Sequence, residues 1–261
     1  MEAMFPVPRI AESFIDSIAQ DLGWRRYLDV HTPAAGRLNA DYLSSDAIVE
    51  LKILEEEGLE KAERQNKLAE LFARIHGGSA EIDISFENVP TSIRREVESV
   101  VSGPIQTVVK KAAKQIRHTQ EDLRRESDLG VLLVINNGYS YLNADNFEQL
   151  VVRRCANDSR RIDFAFCVTV DYHQGSFDAF VFCTTRCHSI HRGSNWAEEA
   201  AVVKALQSKF NDAMTEMMRD QMNPEIWARH LPPITDIRFE RDGVKYVRKA
   251  PEVPDSRFKG K

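Results

Sequence analysis

The chain is poor in several things that would announce a function. Four cysteines in 261 residues do not make a disulfide framework. No apolar run approaches the ~18 residues needed to span a bilayer. The start, MEAMFPVPRIAESF, has no basic segment followed by an apolar core, so it does not read as a signal peptide. A cytoplasmic protein with no membrane partner is the expectation. A net charge of −5 gives no general pull toward polyanions, so any surface for nucleic acid must be local. Neither G-x-x-x-x-G-K-[ST] nor G-x-G-x-x-G occurs, which removes support for nucleotide-driven motor chemistry. C-x-x-C pairs are missing as well. Cys183 and Cys187, near Cys167, His188 and His191, would stand about 13 Å apart on an extended strand, too far for one zinc ion without a bend. They read as strand thiols. Trp24, Trp196 and Trp227 are scattered and read as packing residues.

What is present is a mixed order of elements. Ile10, Phe14, Ile18 and Leu22 have helical spacing over residues 9 to 22, and Gly23 suits the helix end. Strands are expected at about 37 to 43 and 47 to 54, separated by a turn at SSD. EEEGLEKAERQNKLAELFARIH, ahead of Gly77 and Gly78, reads as a charged amphipathic helix, and AEIDISF as a strand. Pro104 stands where a helix start tolerates it, and residues 105 to 126 continue helically. GVLLVIN reads as a buried strand, and 145 to 156 as a helix. Residues 161 to 187 suggest a hairpin turning near Gln174-Gly175. A long helix over about 195 to 222 and a hairpin around Asp242-Gly243 complete the chain. The fold class expected is α/β or α+β with a mixed sheet flanked by helices.

One stretch carries chemistry. In NADYLSSDAIVELKIL, residues 39 to 54, the second strand places Glu50 and Lys52 on one face, while Ala47, Val49, Leu51 and Ile53 point the other way. If the two strands pair as a hairpin, Asp41 lies across from the Glu50 region. Two carboxylates projecting together repel one another unless a cation sits between them. Mg²⁺ (or Mn²⁺ as its substitute) suits such a pair, because it takes hard oxygen ligands from one or two carboxylates plus waters and a phosphate oxygen. A lysine beside the metal can orient or deprotonate water and offset developing negative charge. Glu50-Leu51-Lys52 is the only acidic-x-Lys triplet in the sequence. The plainer reading is an exposed strand with a cross-strand charge pair.

Asp41, Glu50 and Lys52, with a helix before them and a helix-strand unit after, resemble the PD-(D/E)XK nuclease superfamily, the restriction-endonuclease-like fold. The resemblance covers residues 9 to 54 and 104 to 136. It implies a single nuclease-like domain over 1 to 261, with its core at about 9 to 54 and 104 to 190, an insertion at about 55 to 103, and C-terminal elaborations. It also implies phosphodiester hydrolysis with Mg²⁺, with DNA as the expected nucleic acid and restriction, phage defence or repair as the setting. Asp41 and Glu50 take the metal-ligand roles and Lys52 is the motif lysine. Ala40 replaces the proline of the family's name. A homodimer would suit cutting of both strands. The competing function class is a catalytically inactive nucleic-acid-binding or assembly subunit that kept the fold.

The helix at 105 to 123 adds candidates. Ile105, Val109, Ala112, Ile116 and Leu123 form an apolar stripe, while Lys110, Lys111, Lys114 and Arg117 cover much of the other side. No acidic residue occurs from Ser99 to Gln120. A basic face of this kind can contact phosphates, and a solvated helix face is the plainer alternative. Gln115 lies at the stripe's edge. Several branches of the superfamily carry a glutamine on this helix near the metal, so the resemblance makes Gln115 a candidate site residue. Some relatives also use a glutamate from the first helix, which brings in Glu12.

Overall fold

The structure is a computed structural model, and it describes residues 10–33, 35–55, 57–174, 179–191, 195–221 and 236–249. The first helix, α1 (Glu12–Asp21), leads through Gly23 into β1 (Arg25–Arg26), the short α2 (Tyr27–Val30), β2 (Tyr42–Leu43) and β3 (Ala47–Leu54). The left-handed φ of 72° at Gly23 is the conformation that costs glycine least. There follow α3 (Ala62–Ala73), β4 (Glu81–Asp83), α4 (Arg94–Val101), α5 (Gly103–Leu123) and β5 (Leu129–Asn136). The last elements are α6 (Ala144–Asp158), β6 (Phe164–Gln174), β7 (Ala179–Ser189), α7 (Glu199–Gln221), β8 (Ile237–Arg241) and β9 (Val244–Arg248).

The mixed α/β class expected from the sequence is observed. Six strands form one sheet in the order β1-β2-β3-β5-β6-β7. The pairs β3-β5 and β5-β6 are parallel, and β2-β3 and β6-β7 are antiparallel. Alternation along the strands divides two apolar layers. Ala47, Val49, Leu51, Val131, Leu133 and Phe166 pack with α1 and α7 on one face. Ile48, Leu54, Leu132, Val134 and Ala165 pack with α5 and α6 on the other. Trp24 and Trp196 stack at 6.0 Å within the first layer, as packing residues do; Trp227 lies outside the described residues.

The expected insertion does not stand alone. Its strand β4 joins the C-terminal hairpin in a second sheet, ordered β4-β9-β8. That hairpin turns at Asp242 and Gly243, with φ of 51° and 75°, the two positive values that a type I′ turn requires. The turn expected near Gln174-Gly175 lies outside the described residues, although Gln174 pairs with Ala179 across its base. Two boundaries differ most from the sequence reading. The charged helix starts later, because Glu57 caps a 3₁₀ turn at Gly58–Glu60 before α3 begins. The strand expected over 37 to 43 shrinks to Tyr42–Leu43, because side chains of α5 take the backbone polar groups of residues 38 to 40.

Candidate active site

The site begins with strand register. Tyr42 pairs with Val49 and Leu43 with Ile48, so Asp41, one residue ahead of β2, stands opposite Glu50. Residues paired across antiparallel strands share a face. The expected convergence of Asp41 and Glu50 on one side of the sheet is therefore what the structure has. Lys52, two residues along the same strand, forms an ion pair with Glu50 Oε1.

Glu50 is fully buried at 0% exposure, and Lys52 is partly exposed at 20%. The second carboxylate oxygen, Glu50 Oε2, is buried with no hydrogen-bond partner. Such an atom costs free energy unless something compensates it. Asp41 Oδ2 accepts from the Leu51 backbone N–H (2.8 Å), which fixes that carboxylate against β3. Burial pushes the pKa of Glu50 well up, the charge of Asp41 and hydrogen bonding between the two carboxyl groups raise it further, and Lys52 opposes them. Asp41 is also raised, chiefly by burial; the Leu51 N–H and Lys52 act downward and Glu12 upward. Two raised carboxyls facing each other are a centre of negative potential held only in part by one lysine.

Helix α5 positions this pair. The backbone N–H of Ala40 donates to the buried Thr119 Oγ1 (2.8 Å), and the Gln115 side-chain amide donates to the Asn39 carbonyl (3.0 Å). His118 Nδ1 lies 3.2 Å from the Leu38 carbonyl oxygen. Asn39 Nδ2 and Arg37 donate to the two oxygens of Asp122 (2.8 and 2.6 Å). Residues 37 to 40 are thus laced to the helix instead of to a neighbouring strand, and Asp41 emerges from the end of the lacing. Gln115, a candidate for direct chemistry, makes its described contact with backbone and not with the carboxylates. Thr119, Asn39 and Asp122 carry no sequence signal for this role, because their partners lie 76 to 85 residues away.

Glu12 is exposed on α1 and accepts from Arg26 (2.6 Å), which also reaches Asp16 (2.6 Å). Its charge is felt at Asp41, but its carboxylate is engaged by the arginine. The basic residues of α5 divide between two flanks. At 100° per residue, Lys111 points with Gln115 and His118 toward the laced segment, whereas Lys110, Lys114 and Arg117 point toward the end of α6.

Asp41 and Glu50 offer hard oxygen donors, one of them buried and unpartnered, which fits a divalent cation that keeps waters and takes a phosphate oxygen. Among the described residues no three His, Cys, Asp or Glu side chains converge as a closed ligand set, so the fit is to such an open site. No helix among the described residues is long and apolar enough to cross a membrane. Compared with protein-family models, with curated proteins and with solved structures, the chain gives no match.

Proposed function

We propose that the protein is a metal-dependent nuclease of the restriction-endonuclease-like type, hydrolysing phosphodiester bonds with Mg²⁺ or Mn²⁺, and that DNA is its substrate. The observation that carries this reading is the fully buried Glu50, with one oxygen paired to Lys52, the other unpartnered, and Asp41 opposite. A carboxylate buried half-satisfied beside a like charge is costly unless a proton or a cation is shared between the two. The order of helix, antiparallel β2-β3, crossover helix α5 and parallel β5 supports the same fold reading.

Asp41 and Glu50 would hold a divalent cation, which would supply Lewis acidity to water and to the scissile phosphate. The Leu51 N–H keeps the Asp41 carboxylate turned to the strand. Lys52, whose side chain is partly exposed, would orient the attacking water and offset charge building on the phosphoryl oxygens. Asp41 and Glu50 must both be ionised to bind the cation, so the site exchanges protons for metal.

Purified protein incubated with plasmid and linear DNA, with Mg²⁺ or with EDTA, tests this directly. Cleavage that needs the metal, and that Lys52→Ala removes while folding persists, is the expected result. Retained cleavage in Lys52→Ala overturns the role of Lys52. DNA binding without cleavage under either metal returns the protein to the class of inactive nuclease-fold subunits.

A further inference from the structure

We propose that the groove between α5 and the α6–β6 turn is a binding track for the phosphate backbone of a nucleic-acid duplex, separate from the carboxylate site. Its partner is the nucleic acid of the reading above, but its charges do not depend on the metal chemistry. The groove is open, encloses about 410 Å³, and is lined by Lys110, Lys114 and Arg117 on one wall and by Asp158, Arg160 and Arg161 on the other.

Helical geometry sets the first wall. Positions 110, 114 and 117 recur at i, i+4 and i+7, so their side chains rise on one flank of α5, with Ala113 beside them. The second wall is held in place by Gly130. A Cβ on that residue would lie 1.7 Å from the Arg161 carbonyl oxygen, so only glycine lets the turn approach β5 this closely. The Gly130 N–H donates to Asp163 Oδ2 (2.9 Å), and the Asp163 N–H donates back to the Gly130 carbonyl (2.7 Å). Arg160 and Arg161 are thereby fixed across from the helix.

Five cations thus face one another over a single carboxylate, and that carboxylate is engaged elsewhere. Asp158 accepts from Gln106 (3.2 Å) and pairs with Arg154 (3.6 Å). Arg117 has only a long pair with Glu121 (3.7 Å), and Arg161 donates to the neutral Gln120 Oε1 (3.2 Å). Lys110, Lys114 and Arg160 are exposed and form no ion pair among the described residues. In a chain of net charge −5, a cluster of cations most of which have no carboxylate partner among the described residues calls for an external polyanion.

The shape and lining narrow the partner. Lys110 to Arg117 spans about 10 Å along the helix axis, the length of about three phosphates of one B-DNA strand. Among the described residues no aromatic side chain lines the groove, so it offers no platform for unstacked bases. Contacts of this kind hold a backbone without reading sequence. Lys111, on the other flank of α5, lies outside the groove.

The test measures anisotropy of a labelled duplex oligonucleotide in EDTA, where cutting is silent, over about 50 to 200 mM salt. The variant Lys110→Gln/Lys114→Gln/Arg160→Gln should bind at least about tenfold more weakly at the low-salt end and lower the salt slope by about 2 to 3. A control carrying Lys61→Gln/Lys67→Gln/Arg95→Gln, exposed residues elsewhere, removes the same charge and should change the slope by less than about 1. Circular dichroism melts confirm that both variants fold. An unchanged slope, an equal change in the control, or no duplex binding by the wild type would overturn the track. Tighter binding of the matching single strand would overturn the choice of duplex. Groove-dependent binding in a wild type that never cuts DNA leaves the track standing and removes the nuclease reading; metal-dependent cutting with an unchanged slope does the reverse.

Discussion

Two glutamates seven positions apart show what separates a structural carboxylate from a functional one. Glu57 is partly buried and receives four hydrogen bonds: from the N–H groups of Leu59 (3.2 Å), Ser140 (2.8 Å) and Tyr141 (3.1 Å), and from Ser140 Oγ (2.5 Å). Glu50 is fully buried, receives one lysine, leaves an oxygen bare and faces Asp41. Burial pushes both pKa values up, but at Glu57 every further influence acts downward, whereas at Glu50 Asp41 pushes the same way as burial. Burial alone does not mark a site. Burial with unfilled valence and a like charge does.

The comparison breaks or sharpens through paired substitutions, taken from the largest expected effect. Glu50→Gln should lower metal-dependent DNA cleavage by at least about 10²-fold, while Glu57→Gln, corrected for the folded fraction, should retain it; initial rates on plasmid decide. Stability should respond in the opposite sense. Glu57→Gln sets an amide where a carboxylate collected donors, and should cost at least about 2 kcal/mol, a fall in Tm of roughly 5 °C or more.

Thr119→Val tests the lacing behind Asp41. The change keeps the volume but leaves the Ala40 N–H without its acceptor (2.8 Å), at a cost of about 1 to 3 kcal/mol. Cleavage should fall further than the unfolded fraction explains, because the segment leading into Asp41 loses one of the contacts that position it. Equal loss of folding and cleavage would leave Thr119 a purely structural residue.

The smallest effect concerns Glu50 without metal. Its folded-state pKa is raised, so folding favours its protonated form. The stability this contributes is complete below the ordinary carboxylate pKa and is lost as pH rises toward the raised value. Glu50→Gln removes that loss, so in EDTA its Tm should exceed the wild type's by a few degrees at pH 8, and the gap should close toward pH 4. A lower Tm at pH 8 would show that the Lys52 pair outweighs the burial cost.

How much of this could be read from the chain depends on how local each contact is. The alternation in AIVELKIL sets Glu50 and Lys52 on one face, and a short SSD turn is enough to bring Asp41 opposite. Strand β5 was legible because GVLLVIN is apolar on both faces, as a central parallel strand must be. The strand expected over 37 to 43 is too long because nothing near Asn39 and Ala40 announces that Gln115 and Thr119 take their backbone groups. Glu57 sits in an EEE run that reads as helix; its partners Ser140 and Tyr141 lie more than 80 residues on. The sheet β4-β9-β8 joins residue 81 to residue 245, and the wall supplied by Arg160 and Arg161 meets α5 only through tertiary packing. Short-range periodicity carries faces and turns, not these encounters.

The most direct measurement is calorimetric titration of Mn²⁺ into the wild type, Glu50→Gln and Glu57→Gln, with a non-cleavable phosphorothioate duplex present to complete the coordination shell. Two buffers of different ionisation enthalpy count the protons released. The expected result is binding with proton release in the wild type and in Glu57→Gln, and loss of both in Glu50→Gln. Equal Mn²⁺ binding by Glu50→Gln and the wild type, or none by the wild type, would contradict the assignment of Asp41 and Glu50 as a metal site.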